Sequence, residues 1–168
     1  MGGKGKLPMK DLSALLTELG LQDVRTYIQS GNVVLRAPQK GEAALAAQIA
    51  SSIEKHHGFR PTTMVLTLDS FRKIAAENPF SGDTIDPKSL HVGFMARSPQ
   101  KPDLDGLRSL CSGGEDFRLQ GNALYLFLPG RVGKSRLAAR AEALIGEPVT
   151  MRNQNTVSSI LELGSGLA

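Results

Sequence analysis

The chain has 168 residues, 40% of them apolar, with one cysteine and no tryptophan, enough for a core that needs no disulfide or metal staple. Twenty basic against sixteen acidic residues give a net charge of +4, divided ten to eight on either side of the Asp83 to Thr84 junction, a balance that permits a nucleic-acid-binding domain without indicating one. Cys111 alone cannot form an internal bridge, no run approaches the ~18 apolar residues of a membrane span, and Met1 to Lys10 lacks a signal-peptide core, which excludes secreted disulfide scaffolds and points to the cytoplasm.

Pro8 to Leu19 reads as a helix with Leu12, Leu15, Leu16 and Leu19 on one stripe and Gly20 as its stop. Asp23 to Ile28 alternates as a strand, Gln29-Ser30-Gly31-Asn32 turns the chain, and Val33 to Ala37 returns. Gly41 to His57 is helical, with Leu45, Ile49 and Ile53 four apart. Thr62 to Leu68 reads as a strand with Met64, Leu66 and Leu68 on one side, and Asp69 caps a short helix that Pro79 closes. Ser81 to Ser89 turns to Gly, Asp, Pro and Ser, as a linker does.

The order then restarts. His91 to Arg97 is a strand, Pro102 to Cys111 a helix, and Asp116 to Gln120 with Ala123 to Leu128 a hairpin around Gly121-Asn122. Lys134 to Ile145 is a helix, Pro148 to Arg152 a strand and Asn155 to Leu163 a closing helix, capped by Asn155 or Thr156. The Gly-Asn turns of the two halves lie 90 residues apart, and helix, hairpin, helix, strand and short helix recur in the same order. The expected class is α+β, a duplication of two ferredoxin-like βαββαβ units over residues 1–80 and 90–168 joined by 81–89. The first unit lacks its opening strand, which in that topology is central. The expectation is that Met1 is a misassigned or truncated start, or that a partner chain or rearranged strand fills the gap, so that self-association there is possible.

Chemistry is harder to place. Gly130-Arg131-Val132-Gly133-Lys134-Ser135 precedes a helix but has two residues between its glycines where a phosphate loop needs four. One anionic group at that helix start, held by amides with Arg131, Lys134 and Arg136, competes with an ordinary basic turn. His56-His57 reads as a charged helix end, His91 has no companion at metal-ligand spacing, and Cys111 reads as a small buried hydrophobe. No metal, cofactor or catalytic residue is assigned. Tyr125 and Phe127 alternate onto one strand face, where bases would stack in an RNA reader or where a core would pack. Arg152-Asn153-Gln154-Asn155-Thr156 offers more hydrogen-bonding capacity than a helix cap requires.

The segments Gly2-Gly3, Lys6-Leu7-Pro8-Met9-Lys10-Asp11-Leu12, Asp23-Val24-Arg25-Thr26-Tyr27-Ile28-Gln29-Ser30-Gly31-Asn32-Val33-Val34 and Met151-Arg152-Asn153-Gln154-Asn155-Thr156-Val157 resemble the bacterial proteins catalogued as domain of unknown function 1697. The resemblance implies two ferredoxin-like units and no activity. Gln154 stands where such proteins usually carry Trp between two asparagines, and their opening strand with its Arg-Gly-Ile-Asn stretch has no counterpart in this chain. The function expected first is a small-ligand or anion-binding module using Lys4, Gln29, Arg131, Gly133, Lys134, Ser135, Arg136, Arg152, Asn153 and Asn155. A nucleic-acid-associated or protein-interaction module is the alternative, and an enzyme comes last.

Overall fold

A computed structural model describes residues 6–28, 31–38 and 41–167. The protein is a mixed α+β molecule with six α-helices and two antiparallel sheets among these residues. None of the helices is long and apolar enough to cross a membrane. The chain divides into two compact units: residues 1–68 with 159–168, and residues 69–158. The division falls at Leu68 and Asp69, so the 81–89 stretch lies inside the second unit, and the last ten residues return to the first.

In the first unit, α1 (Met9–Glu18) starts after Pro8 and stops at Gly20, whose φ of +84° suits glycine. Strands β1 (Gln22–Tyr27) and β2 (Asn32–Arg36) form the hairpin, with Tyr27 opposite Asn32. The pairing slips between Gln22 and Arg25, where Asp23 takes φ +51° and its carboxylate meets Arg36 at 3.0 Å. Helix α2 (Glu42–His57) ends at Gly58 in the left-handed conformation. Leu12, Leu15 and Leu16 of α1 and Leu45, Ile49 and Ile53 of α2 bury together, with Val24, Val33 and Leu35 of the hairpin packed against them. Both amphipathic stripes thereby find the partner they require.

Thr62 to Leu68 does not form the expected strand. Residues 61–67 carry no regular structure, and Leu68 opens α3 (Leu68–Ala76). A strand is a strand only when its backbone pairs, and the first sheet has β1 and β2 alone among the described residues. Met64, Val65 and Leu66 are all half-buried, and Val65 packs against the first core. Asp69 lies inside the first turn of α3 and pairs with Arg72 at 3.1 Å instead of capping it.

The second unit contains β3 (Leu90–Phe94), α4 (Leu104–Leu110), β4 (Asp116–Gln120), β5 (Ala123–Phe127), α5 (Arg136–Ile145), β6 (Thr150–Asn153) and the start of α6 (Gln154–Ser165). The sheet order is β4-β5-β3-β6, antiparallel throughout. Leu107 of α4 and Leu137, Ala141 and Ile145 of α5 cover one face, against Phe117, Leu124, Leu126 and Leu128. Gly93 faces the same way, and a Cβ there would stand 2.6 Å from Val149 Cγ1, 3.2 Å from Met151 Cε and 3.4 Å from Leu124 Cβ.

Gly93→Ala therefore sets a small gain in strand propensity against overpacking by a branched neighbour, and the overlap wins. The expected loss is about 1–3 kcal/mol in chemical denaturation. A variant as stable as the parent would show that β3 and β6 can separate at no cost.

Candidate functional site

The second face of the β4-β5-β3-β6 sheet is covered by α3 and the turn after it. Phe71 stacks on Phe94 at 4.8 Å between ring centroids, and Phe80 on Phe127 at 6.1 Å. Between them the Tyr125 hydroxyl donates to the Ile74 carbonyl at 2.7 Å, near the end of α3 where helix carbonyls lack intrahelical partners. Tyr125 is 1% exposed. The two strand aromatics singled out in the sequence are thus packing residues, and bases cannot stack on Tyr125 in this state.

Burial, with a smaller contribution from the Glu77 carboxylate, pushes the Tyr125 phenol from 10.0 up to about 12. A raised folded-state value means that the neutral phenol contributes stability fully below pH ~10 and loses it as pH rises toward ~12. Tyr125→Phe should cost about 1–3 kcal/mol near neutrality, because the Ile74 carbonyl is left unpaired. Denaturation measured from pH 9 to 12 should show the gap between parent and variant closing over that window; a constant gap would mean that the phenol titrates as freely as in water.

The register places the remaining candidates. Leu90 pairs with Phe127, Asp116 with Phe127, and His91 with Asn153, so the end of β5, the start of β3 and the end of β6 share one end of the sheet. Beyond β5 at that end the chain makes a 3-10 turn, Val132–Lys134, and enters α5; beyond β6 it enters α6 directly. Arg131, Gly133, Lys134 and Arg136 are exposed there, as are Asn153 and Asn155. Ser135 is buried, and its hydroxyl accepts from Ala138 N at 3.1 Å, capping α5. Lys4 and Gln29 lie outside the described residues.

The polar run divides between the two faces. Arg152 pairs with Val92 and so stands on the α3 side, half-buried, with its guanidinium donating to Met151 O at 2.8 Å and its pKa lowered by burial. Asn153 pairs with His91 on the side of α4 and α5. Its Oδ1 accepts from Thr156 N at 2.9 Å, so Asn153, and neither Asn155 nor Thr156, supplies the cap of α6. Gln154 Nε2 donates to Ser158 Oγ at 3.2 Å, while Gln154 Oε1 is buried with no partner.

His91 is the residue that spacing alone undervalued. It is 7% exposed, sits on the Gly93 side of β3 at the end where α5 begins, and its Nδ1 has no hydrogen-bond partner. Burial, opposed by a backbone hydrogen bond with Ser89, lowers its pKa and keeps the ring neutral near pH 7. The only sequence signal was a histidine at an otherwise apolar strand position. Among the described residues no three His, Cys, Asp or Glu side chains come close enough to hold a metal. Cys111 is half-buried against the core beneath α4, its thiol 3.7 Å from Leu107 O and its pKa raised by burial. At the far end of the sheet, a shallow cleft is lined by Arg97, Gln100, Lys101 and Glu147; Arg97 is tied to Glu147 at 2.8 Å.

Residues 1–125 match the family model described as protein of unknown function, DUF1697. The chain belongs to this family. No curated protein matches it. Among solved structures it is similar to one described as that of the conserved bacterial protein SP0830 from Streptococcus pneumoniae, with 22% identity, 97% of this chain and 92% of that chain covered, and a TM-score of 0.69. At that identity the likeness to SP0830 concerns the fold alone.

Asn153→Ala removes a cap from a helix that bridges the end of β6 to the C-terminus. It should lower stability by about 0.5–2 kcal/mol, with Asn153→Ser or Asn153→Asp restoring most of the loss. Equal losses for all three would locate the role of Asn153 elsewhere than in capping α6.

Proposed function

We propose that this member of the DUF1697 family is a bacterial cytoplasmic module that binds a small anion. The fold reading behind it is a duplication of two ferredoxin-like units, the first without its opening strand. The order β4-β5-β3-β6, with α4 and α5 on one face, supports that reading for the second unit. The repetition of helix, hairpin and helix in α1, β1, β2 and α2 supports it for the first.

One observation carries the anion reading. The cationic start of α5 and the amide-rich start of α6 open at the same end of one sheet, on which buried His91 keeps a ring nitrogen without a partner. Two helix N-termini each present unpaired N–H groups and a partial positive charge, and both favour an anion. Arg131, Lys134 and Arg136 add full charges, exposed and unneutralised by any ion pair among the described residues. Asn153 and Asn155 supply direction. Arg152, on the opposite face, contributes charge to that end of the sheet without facing His91.

Thermal unfolding with inorganic phosphate, sulfate, mononucleotides and short oligonucleotides tests this. A ligand at 100 times its Kd adds about 2.7 kcal/mol. The phosphate-dependent shift should vanish in Lys134→Ala/Arg136→Ala, whose unliganded melting should stay close to the parent's because both side chains are exposed. An unchanged shift in the double variant would move the site elsewhere. Stabilisation by oligonucleotides alone, falling steeply with salt, would favour the nucleic-acid reading instead.

A further inference from the structure

Among the described residues three buried side-chain atoms lack a hydrogen-bond partner, Asn78 Nδ2, His91 Nδ1 and Gln154 Oε1, and all three lie at the end of the second unit's sheet where β3 begins. Asn78 Oδ1 accepts from Phe80 N at 3.0 Å, Phe80 stacks on Phe127, and Phe127 pairs with Leu90; Gln154 follows Asn153, the strand partner of His91. Native folds leave few such atoms, and each asks for an explanation. Only the His91 nitrogen can change its protonation near neutral pH, and it stands beside Asn153, the cap of α6, on the sheet face that α5 covers.

A neutral imidazole has one N–H and one lone pair. The backbone hydrogen bond with Ser89 favours the protonated ring, so a ring N–H gives its proton to the Ser89 carbonyl; because Nδ1 has no partner, that N–H is on Nε2. The same carbonyl accepts from Leu128 N at 2.7 Å, which fixes its place between β3 and β5. Nδ1 therefore keeps the lone pair. Toward a ligand it is an acceptor, whereas the cations and helix starts around it are donors.

β5 and β6, which flank His91, bring no charge to its side of the sheet. The charged side chains at this end are Arg131, Lys134 and Arg136 around the start of α5, Arg108 with Asp116 and Glu115 between α4 and β4, and Asp86 and Lys88 before β3. Carboxylates, lysines and arginines as classes hold their charge across neutral pH, and His91 is the one histidine of residues 69–158.

We infer that the anion complex holds one proton between His91 Nδ1 and a ligand oxygen, so that the site takes an oxyanion that keeps a hydrogen at neutral pH, such as hydrogen phosphate, in preference to sulfate. Hydrogen phosphate and sulfate share charge and tetrahedral shape and differ by that proton. Hydrogen phosphate brings it and donates to the Nδ1 lone pair; sulfate meets lone pair with lone pair unless the ring first takes a proton from solution. The inference rests on the anion reading above and adds the class of anion to it.

The test is calorimetric titration of the full chain with phosphate and with sulfate at constant ionic strength, from about pH 6.5 to about pH 8.5, the range in which a buried free ring is neutral. At about pH 8 phosphate should bind at least about tenfold more tightly, since a buried acceptor rejects the ligand that lacks its hydrogen. Sulfate affinity should rise about tenfold for each pH unit of fall, because its complex holds one proton more than the free protein, while phosphate affinity should not rise. His91→Leu should remove both the preference and the sulfate slope. His91→Gln, which keeps an acceptor but does not titrate, should retain the phosphate preference and lose the slope, and it serves alone where leucine disturbs β3.

Binding of neither anion overturns the anion site itself and this inference with it. Equal, pH-independent binding of both leaves the anion site standing and overturns the shared proton. A phosphate preference and a sulfate slope that persist unchanged in both variants overturn the assignment to His91.

Discussion

Pairing of β3 on both edges is the constraint on which the second unit rests. Its residues lie between β5 and β6, and all five are buried, so each peptide group must find its partner within the sheet. That requirement fixes the alternation. His91 and Gly93 turn toward α4 and α5, and Leu90, Val92 and Phe94 turn toward α3. At Gly93 the side chains of Val149, Met151 of β6 and Leu124 of β5 come so close that a Cβ would overlap Val149, which is why a residue without a Cβ stands there. The position of His91, one alternation away, is set by the same register.

The first unit has no strand paired on both edges among its described residues. Thr62 to Leu68 has the β-branched and apolar content of a strand as well as the alternation of Met64, Leu66 and Leu68 on which its reading as one rests. Propensity of this kind measures fit to a pleated, paired surface, and with no neighbouring strand among the described residues it has nothing to act on. The helices suffer no such dependence. Leucine spacing in α1 and α2, with Gly20 and Gly58 as stops, specifies them locally, and the observed bounds lie within one residue of those read from sequence. Local hydrogen bonds make a helix legible; a strand is a contract with a distant segment.

The same distinction separates the legible from the illegible in the candidate site. The basic surroundings of the start of α5 follow from a Gly-rich turn before an apolar stripe, whereas its cap does not show there, because the pattern starts the helix at Lys134 and it begins at Arg136 with Ser135 before it. The run from Arg152 to Thr156 was visible as polar, but its division between two faces depends on the register of β6 against β3, and the cap fell to Asn153 because the helix starts one residue earlier than its apolar pattern suggests. Least visible was α3. Phe71 and Ile74 lie in what reads only as a short helix closed by Pro79, with Phe80 just beyond it, yet they meet Phe94, Tyr125 and Phe127 from positions up to 51 residues away. Nothing in local spacing identifies that match.

Covering of the sheet by α3 also determines where recognition can occur. A four-stranded antiparallel sheet with helices on one side normally offers its other side to solvent or ligand. Here Tyr125 is sealed and hydrogen-bonded, and Phe94 and Phe127 are stacked, so opening that face would separate two aromatic pairs and expose the Ile74 carbonyl. What remains accessible on the second unit is its periphery, where helices begin and strands end. There the backbone itself presents unpaired donors, and side chains of low structural consequence, such as Lys134 and Arg136, can carry specificity without loss of the core. A fold sealed on both faces of its sheet leaves only its ends open, and in the second unit the end that gathers two helix starts, three exposed cations and an unpartnered imidazole nitrogen is the one where β3 begins.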